Sequence, residues 1–261
     1  MTNDLQSRLD SFRLAHGWRL VDWPDLSREM IRNFLRPAVR AVPRSLAARF
    51  KSCRISLKPR LTDADLTSRW VQSQDGLDIE VASDGIEEHD LVLEVLLCLG
   101  QALWEIALPG ERQAYLKLLA AEIEAGVVGE IDEEALREKH SILSSRESAR
   151  SRTCLERYAQ ASFGGTVAEY IHCLWHDVTV RTGPEHLSAT WLRRRLELLA
   201  RWFPPDRGHR IYRGKLDHVV IRHGRSCAER SSGRGKFTPC CKSGECRSRH
   251  ECASIHVFRH H

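Results

Sequence analysis

The most apolar part of the chain reads LVLEVLLCLGQALW and covers residues 91–104. Apolar side chains occur all around the helical turn in this segment, so no polar stripe is left to face water. A helix of this kind belongs at the centre of a domain, and we expect a helix at 87–108 that is buried on all faces. Gly100 interrupts it and costs helix stability relative to alanine, which predicts a close backbone contact at that position.

The segments around this helix predict an α+β fold that is predominantly helical. Strands are predicted at 54–58, 67–72 and 77–82, and the turn at 73–76 joins the last two as a hairpin with Gly76 in the left-handed position. Asp84, with Glu87 three residues later, is a capping-box variant that would open the central helix. Other helices are predicted at 25–34, 111–125, 132–144, 150–180 and 188–202, with breaks at Pro37 and Pro43. A few strands followed by helices alone are typical of α+β proteins.

The composition of the chain changes abruptly near Tyr212. All seven Trp precede this residue, whereas the segment after it holds one Leu, five of the nine Cys and six of the thirteen His. So few aliphatic side chains cannot bury enough surface to offset the entropy of ordering. We therefore predict a globular domain at 1–213 and a basic Cys/His-rich tail at 214–261 that is disordered, stapled by zinc or the product of a shifted reading frame.

Charge is also unevenly distributed. Residues 1–60 carry 13 Lys and Arg against five Asp and Glu, residues 61–213 carry 17 against 26, and residues 214–261 carry 10 against four. Basic ends around an acidic middle are consistent with nucleic-acid contact. The alternative is that the basic ends simply pair with the acidic middle.

The sequence predicts a cytoplasmic protein with no membrane segment. No apolar run reaches the ~18–20 residues of a membrane helix, because Glu94 and Glu105 interrupt the best candidate. The N-terminus has no apolar core of a secretory signal. Nine Cys is an odd number in a chain of this size, which favours reduced thiols over a disulfide framework.

The central helix and its surroundings resemble the active-site region of zincin metallopeptidases. A predicted strand, LDIEV at 77–81, precedes a helix that reads LLCLGQAL at 96–103. In zincins the corresponding helix carries an HExxH motif. Leu97 and Gln101 stand where the two zinc-binding His would be, and Cys98 stands where the general-base Glu would be. A second segment, FGGTVAEY at 163–170, resembles the gluzincin helix that supplies the third ligand, and Glu169 would be that Glu.

These replacements change what the site can do. Catalytic zinc needs two imidazoles one helical turn apart, a third protein ligand and a bound water. Leu97 has no lone pair, Gln101 is a poor neutral donor, and Cys98 cannot act as a carboxylate base. The resemblance therefore implies a degenerate site with no catalytic residue and no cofactor in 1–213, that is, a non-catalytic pseudo-metallopeptidase with an unknown binding role. A protein partner is left open.

A second group of side chains lies on the predicted helix that carries Glu169. Glu169 and His172 are three residues apart, and His172 and His176 are four apart, so they share a helix face and are candidate metal ligands of a metal-dependent hydrolase. The alternative is an ordinary amphipathic helix. Cys98 and Cys173 lie in apolar helical surroundings and are expected to be buried, inert thiols.

The basic tail contains a possible zinc ligand set. Cys241, Cys246, Cys252 and His256 give the spacing C-x4-C-x5-C-x3-H, and such ligands suit tetrahedral zinc. The pattern resembles a CCCH zinc finger, which implies zinc binding and RNA or other nucleic-acid binding through the tail. The alternative is a tail without structure.

In the helix predicted at 188–202, the three arginines at 193–195 are expected on a solvated face, with nucleic-acid contact as the alternative.

Overall fold

The computed structural model describes residues 11–23, 27–63, 66–144, 152–176 and 183–211. These residues form an α+β fold that is predominantly helical, in which a five-stranded mixed sheet precedes the long helices. This confirms the predicted fold class. The predicted domain boundary near residue 213, the tail at 214–261 and its candidate ligands Cys241, Cys246, Cys252 and His256 lie outside the described residues and stay predictions.

The strands and helices have the following bounds. The strands are β1 (Phe12–Arg13), β2 (Arg19–Asp22), β3 (Cys53–Lys58), β4 (Ser68–Ser73) and β5 (Gly76–Ala82). The helices are α1 (Arg28–Met30), α2 (Arg36–Ala41), α3 (Arg44–Ala47), α4 (Glu88–Glu105), α5 (Pro109–Glu124), α6 (Glu133–Ser144), α7 (Arg152–Trp175) and α8 (Ala189–Trp202). A π-helical turn, Ile31–Leu35, connects α1 directly to α2.

Most predicted elements are confirmed to within a few residues, but two local expectations were wrong. Pro37 does not break the first helix, because it lies in the first turn of α2, where its missing N–H is tolerated after the π turn. The capping box at Asp84 does not form, because α4 begins at Glu88 with no side-chain cap. Asp84 instead pairs with Arg60 across 3.2 Å.

The sheet leaves β4 at one edge. The strand order is β1-β2-β3-β5-β4, with β3 parallel to β5 and β4 antiparallel to β5 across the predicted hairpin. Alternate residues of β3 and β5 are buried in the core. Because β4 is the last strand of the described sheet, one of its backbone edges has no strand neighbour there.

Helix α4 runs through the core and crosses α7 at two glycines. A Cβ atom on Gly100 would lie 2.7 Å from the carbonyl oxygen of Gly164, which confirms the predicted close backbone contact. The expected burial on all faces was wrong on one side. Leu96 and Cys98 are buried, whereas Leu97 and Gln101 are partly exposed at the surface between α4 and β4.

A buried charge cluster joins α5, α6 and α8, and it corrects the prediction that all three arginines at 193–195 face solvent. Arg195 is fully buried, and its guanidinium donates to both carboxyl oxygens of Glu122 (one bond of 2.8 Å) and to both of Glu130 (2.7 and 2.8 Å). Lys139 donates to Glu130 as well, at 3.0 Å. These cations outweigh the cost of burial and lower the pKa of Glu130 to about 2. The cluster is therefore a buried, internally paired part of the core.

The described helices and cysteines bear on the predictions about membrane segments and disulfides. Within the described ranges, no single helix has the length and apolarity needed to cross a membrane. Helices α4 and α5 reach that length and apolarity only when taken together, and the chain bends by 115° between them. Cys53, Cys98, Cys154 and Cys173, the cysteines that the structure describes, are free thiols.

Candidate functional site

A groove lies between the edge strand β4, the partly exposed side of α4 and the first turn of α6. It encloses a cavity of about 260 Å³. Leu97 and Gln101, two of the degenerate-site positions, are both in its wall. The described residues that line it are Leu66, Thr67, Ser68, Glu94, Leu97, Gln101, Asp132, Glu133, Glu134 and Arg137. The structure thus brings two positions singled out from the sequence together with residues from two other elements.

Gln101 connects the three walls of the groove. Its Oε1 accepts a hydrogen bond from the indole Nε1 of Trp70 on β4 (3.2 Å). Its Nε2 donates to Oε2 of Glu134 on α6 (3.4 Å). Both ends of the amide are therefore engaged by protein groups. Gln101 acts here as a structural bridge between the sheet edge and the helices, a role that a neutral amide fills without a metal.

Cys98 lies behind the groove wall and has no nucleophilic character. Its side chain is buried, and this burial raises the pKa of the thiol to about 12. Cys173 is also buried, and burial is again the largest cause that raises its pKa. The predicted burial of both thiols is confirmed, and a raised pKa disfavours the reactive thiolate at neutral pH. On the neighbouring strand, Ser68 Oγ donates to Oε2 of Glu94 at 2.9 Å, which fixes that carboxylate at the groove.

Glu169, the predicted counterpart of the third zinc ligand, lies on α7 beyond the part of that helix that touches the groove. The α7 backbone touches the groove wall at Gly164, where a Cβ atom would lie 2.8 Å from Cγ of Gln101 and 3.4 Å from Leu97. Glu169 follows five residues later. Its carboxylate lies 3.7 Å from Nδ1 of His172 and 3.9 Å from the thiol of Cys173. The contacts of Glu169 therefore belong to a second cluster on α7.

That second cluster contains a histidine that the sequence did not reveal. His89, in the first turn of α4, lies with its Nε2 3.1 Å from Nε2 of His172, so one of the two nitrogens carries the proton and the other accepts it. The ring of His176 stacks on His172 with 5.7 Å between centroids. In the part of the chain that the structure describes, no three His, Cys, Asp or Glu side chains form a group that could hold a metal ion. Glu169, His172 and His176 are therefore not gathered as a ligand set.

Asp132 is the groove residue with the most perturbed chemistry. One carboxyl oxygen caps α6 by accepting the N–H of Ala135 (2.9 Å). The other oxygen, Oδ2, is buried against Gly165 and lacks a hydrogen-bond partner among the described residues. Desolvation is the main cause that raises the pKa of Asp132 to about 7. The raised pKa favours the protonated form of the Asp132 carboxyl well above the pH at which an ordinary Asp ionises. This property of Asp132 could not be predicted from the sequence, because an Asp before a helix is an ordinary cap.

The open edge of β4 offers backbone groups beside the groove. The N–H of Ala82 donates to the carbonyl of Thr67 (2.7 Å), so Thr67 and every second residue after it face β5. By the same alternation, the N–H and C=O groups of Ser68, Trp70 and Gln72 point away from β5. An extended chain laid along this edge would find alternating donors and acceptors in strand register.

The groove residues themselves are the guide to its role, because no family model matches the chain and no curated protein or solved structure matches it either. They comprise an open strand edge, an apolar side chain at Leu97 and several carboxylates. The wall positions Leu97 and Gln101 do not fit a catalytic zinc ion, since neither offers an imidazole nitrogen. The arrangement is suited to holding a ligand by backbone pairing and side-chain contact.

Proposed function

We propose that this protein contains a non-catalytic, zincin-like domain, a pseudo-metallopeptidase, whose groove binds an extended segment of a partner protein. One observation carries the proposal. Leu97 and Gln101, which stand where the zincin pattern has its two zinc-binding His, line a groove that reaches the first residue of β4, Ser68. Among the described residues, one edge of β4 has no strand neighbour. The position of these two side chains supports a groove that binds an extended segment without a metal ion.

The absence of catalysis in this proposal rests on the chemistry of three positions. Leu97 has no donor atom, and the amide of Gln101 is engaged on both sides by Trp70 and Glu134. Cys98 is buried with a raised pKa, so it supplies neither a base nor a nucleophile at neutral pH. A peptide held in the groove would therefore not be cleaved by these residues.

The binding role rests on the strand edge. Natural proteins usually cover or disrupt a free edge because it pairs with other chains. Addition of a strand to such an edge is a common mode of peptide recognition, in which the backbone supplies affinity and neighbouring pockets supply specificity. Beside β4, Leu97 offers an apolar contact and Glu94 and Glu134 offer charge, so the groove contains both kinds of pocket group.

Selection from a displayed random-peptide library tests this proposal. The full chain is the bait, and enriched peptides are then measured by fluorescence anisotropy against two variants. Leu97→Arg places a long side chain in the groove and should weaken binding at least about tenfold. Val71→Arg is the control, because Val71 lies on β4 outside the groove lining, with its side chain exposed and its backbone bonded to β5. Equal affinity of both variants, or failure to enrich any peptide, would contradict the proposal.

Zinc content and cleavage provide the second arm of this test. The full chain, with Cys241, Cys246 and Cys252 changed to Ser to remove the tail ligands, should purify without stoichiometric zinc. It should leave the enriched peptides intact after prolonged incubation with added zinc. One tightly bound zinc that is lost in Glu169→Ala, together with cleavage, would instead establish an active metallopeptidase.

We also propose that the protein resides in the cytoplasm. The four described cysteines are free thiols, as expected in a reducing compartment. Cell fractionation tests this, and recovery of the protein in a secreted fraction with its cysteines oxidised would contradict it.

A further inference from the structure

Four arginines follow one another at intervals of four residues on the first helical stretch. They are Arg28, Arg32, Arg36 and Arg40, and all four are exposed. The stretch is continuous from α1 through the π turn to the end of α2. Its opposite face is buried in the core through Met30, Ile31, Leu35, Ala38 and Val39. We call the four side chains the arginine row.

The π turn keeps the row aligned. In an α-helix, residues four apart overshoot a full turn by about 40°, so three such steps would rotate the last side chain by about 120° from the first. Ile31–Leu35 forms a π turn, in which Arg36 donates its backbone N–H to Ile31, five residues earlier. Because a π turn contains more residues than an α turn, each residue in it rotates the helix by less, and the accumulated rotation becomes smaller. Arg28 and Arg40 consequently lie closer to one line than a regular helix would place them.

Among the described residues, the arginine row is largely without ion pairs, in contrast to most of the basic residues at 49–60. Arg49, Arg54, Lys58 and Arg60 pair with Glu111, Asp78, Glu80 and Asp84 at 2.5 to 3.2 Å. Of the row, Arg32 reaches Glu29 only at 4.0 Å, and Arg36 lies over the ring of Phe12 at 5.1 Å. Arg28 and Arg40 form no ion pair with any described residue. Pairing with the acidic middle thus accounts for four of the five basic residues at 49–60 but not for the row.

We propose that the arginine row binds the phosphodiester backbone of nucleic acid. The four residues advance about 6 Å per step and span about 18 Å along the helix. A nucleic-acid strand presents one phosphate per about 3.4 Å of duplex axis, so the row covers about five phosphates of one strand. Guanidinium groups bind phosphate oxygens through paired hydrogen bonds, and Arg is the residue best suited to this contact.

The surroundings of the row favour nucleic acid over an anionic membrane. An amphipathic helix that binds a membrane inserts an exposed apolar face into the lipid. Here the apolar face is already buried in the core. Among the described residues, the large exposed hydrophobic side chains lie elsewhere, at Leu66, Val71, Leu108, Val128 and Leu143. Binding through the row is therefore expected to be electrostatic and independent of base sequence.

Fluorescence anisotropy with the full chain tests this inference. The probes are a labelled single strand of about 20 nucleotides and its duplex, each titrated over a series of salt concentrations. The row variant Arg28→Gln, Arg32→Gln, Arg40→Gln is compared with the control Arg54→Gln, Arg60→Gln, Arg193→Gln, which removes the same charge from ion-paired surface positions. The row variant should weaken binding about tenfold or more at low salt and reduce the slope of log Kd against log salt by about two to three. The control should stay close to the wild-type protein.

Several results would overturn the inference. Failure of the wild-type chain to bind either probe would contradict it. Equal binding by the row variant and the control variant would assign binding to net charge or to the basic tail. Vesicles with one-third phosphatidylserine form a further arm, and row-dependent binding to vesicles without binding to either oligonucleotide would assign the row to membranes. Arg40→Glu against Arg54→Glu repeats the comparison with single substitutions, and only the former should weaken binding. Thermal unfolding checks that each variant remains folded.

Discussion

Gly100 and Gly164 place the backbones of α4 and α7 in direct contact. A Cβ atom on Gly100 would lie 2.7 Å from the carbonyl oxygen of Gly164 and 2.9 Å from its Cα. Both separations are too short for non-bonded atoms, so any side chain at this position would force the helices apart. The same crossing holds Leu97 and Gln101 at the groove, because Gly164 also lies against Gln101.

This crossing predicts opposite effects for two glycine-to-alanine substitutions. Gly100→Ala should lower the free energy of unfolding by about 1–3 kcal/mol, because the methyl group meets backbone atoms that cannot move independently. Gly110→Ala is the control, since Gly110 is in α5 with open space around its Cβ position. It should be neutral or stabilise by up to about 1 kcal/mol through helix propensity. Urea denaturation measures both, and a neutral Gly100→Ala would contradict the close crossing.

The buried cluster predicts that neighbouring arginines differ sharply. Arg195→Ala leaves the carboxylates of Glu122 and Glu130 buried with fewer partners, so it should cost about 3–5 kcal/mol. Arg193→Ala removes an exposed pair with Glu197 and should cost less than about 0.5 kcal/mol. Thermal and urea unfolding of the two variants measure the difference. Similar stabilities would show that Arg195 is solvated.

Asp132 predicts a pH dependence of stability with a definite sign. Its pKa is about 7 in the folded chain, against an ordinary value near 3.8, so the folded state retains a proton between these values that the unfolded state has lost. The contribution of Asp132 to the free energy of unfolding therefore falls as the pH rises from about 4 to 7 and stays low above that. Asp132→Asn keeps a cap oxygen for Ala135 and removes the buried charge. It should raise the free energy of unfolding at pH 8 by about 2 kcal/mol or more.

The control for this prediction is Glu133, the exposed neighbour of Asp132. Glu133→Gln removes a charge from the same helix turn without removing a buried one, so it should lower stability by about 0.5 kcal/mol or less. Urea unfolding at pH 5 and pH 8 compares the three proteins. If Asp132→Asn leaves the difference between the two pH values unchanged, Asp132 does not carry a raised pKa.

The asymmetry of α4 predicts different costs for adjacent leucines. Leu96 is 1% exposed, so Leu96→Asp buries an unpaired carboxylate and should destabilise by more than about 4 kcal/mol. Leu97 lines the groove, where a carboxylate reaches water, and Leu97→Asp should cost about 1–2 kcal/mol. Thermal unfolding distinguishes them. Equal and severe losses would show that α4 is buried on both sides and that the groove is closed.

The parts of the fold that follow from local chemistry could be predicted from the sequence. The turn before Gly76 and the alternation around it predict the β4–β5 hairpin, and the apolar residues of α4 predict its central position. Strands β1 and β2 escaped prediction, because they are two and four residues long and β2 pairs in parallel with a strand more than 30 residues away. Nothing local marks such a pairing.

The candidate site could be predicted only in part. Leu97 and Gln101 follow from their spacing on one helix. Their neighbours Trp70 and Glu134 come from segments about 30 residues away on either side, and His89 meets His172 across 83 residues. Arg195 shows the same limit, because three consecutive arginines look alike in sequence and only packing decides which one is buried.

Amide hydrogen exchange along β4 tests the central claim most directly, by comparing the free protein with the protein saturated by a selected peptide. The account predicts that the N–H groups of Ser68, Trp70 and Gln72 exchange rapidly in the free protein and slow at least about tenfold on binding. Arg69 and Val71, whose N–H groups face β5, should change little. Binding that leaves the first three amides unprotected would contradict the claim that the groove holds an extended segment along the edge of the sheet.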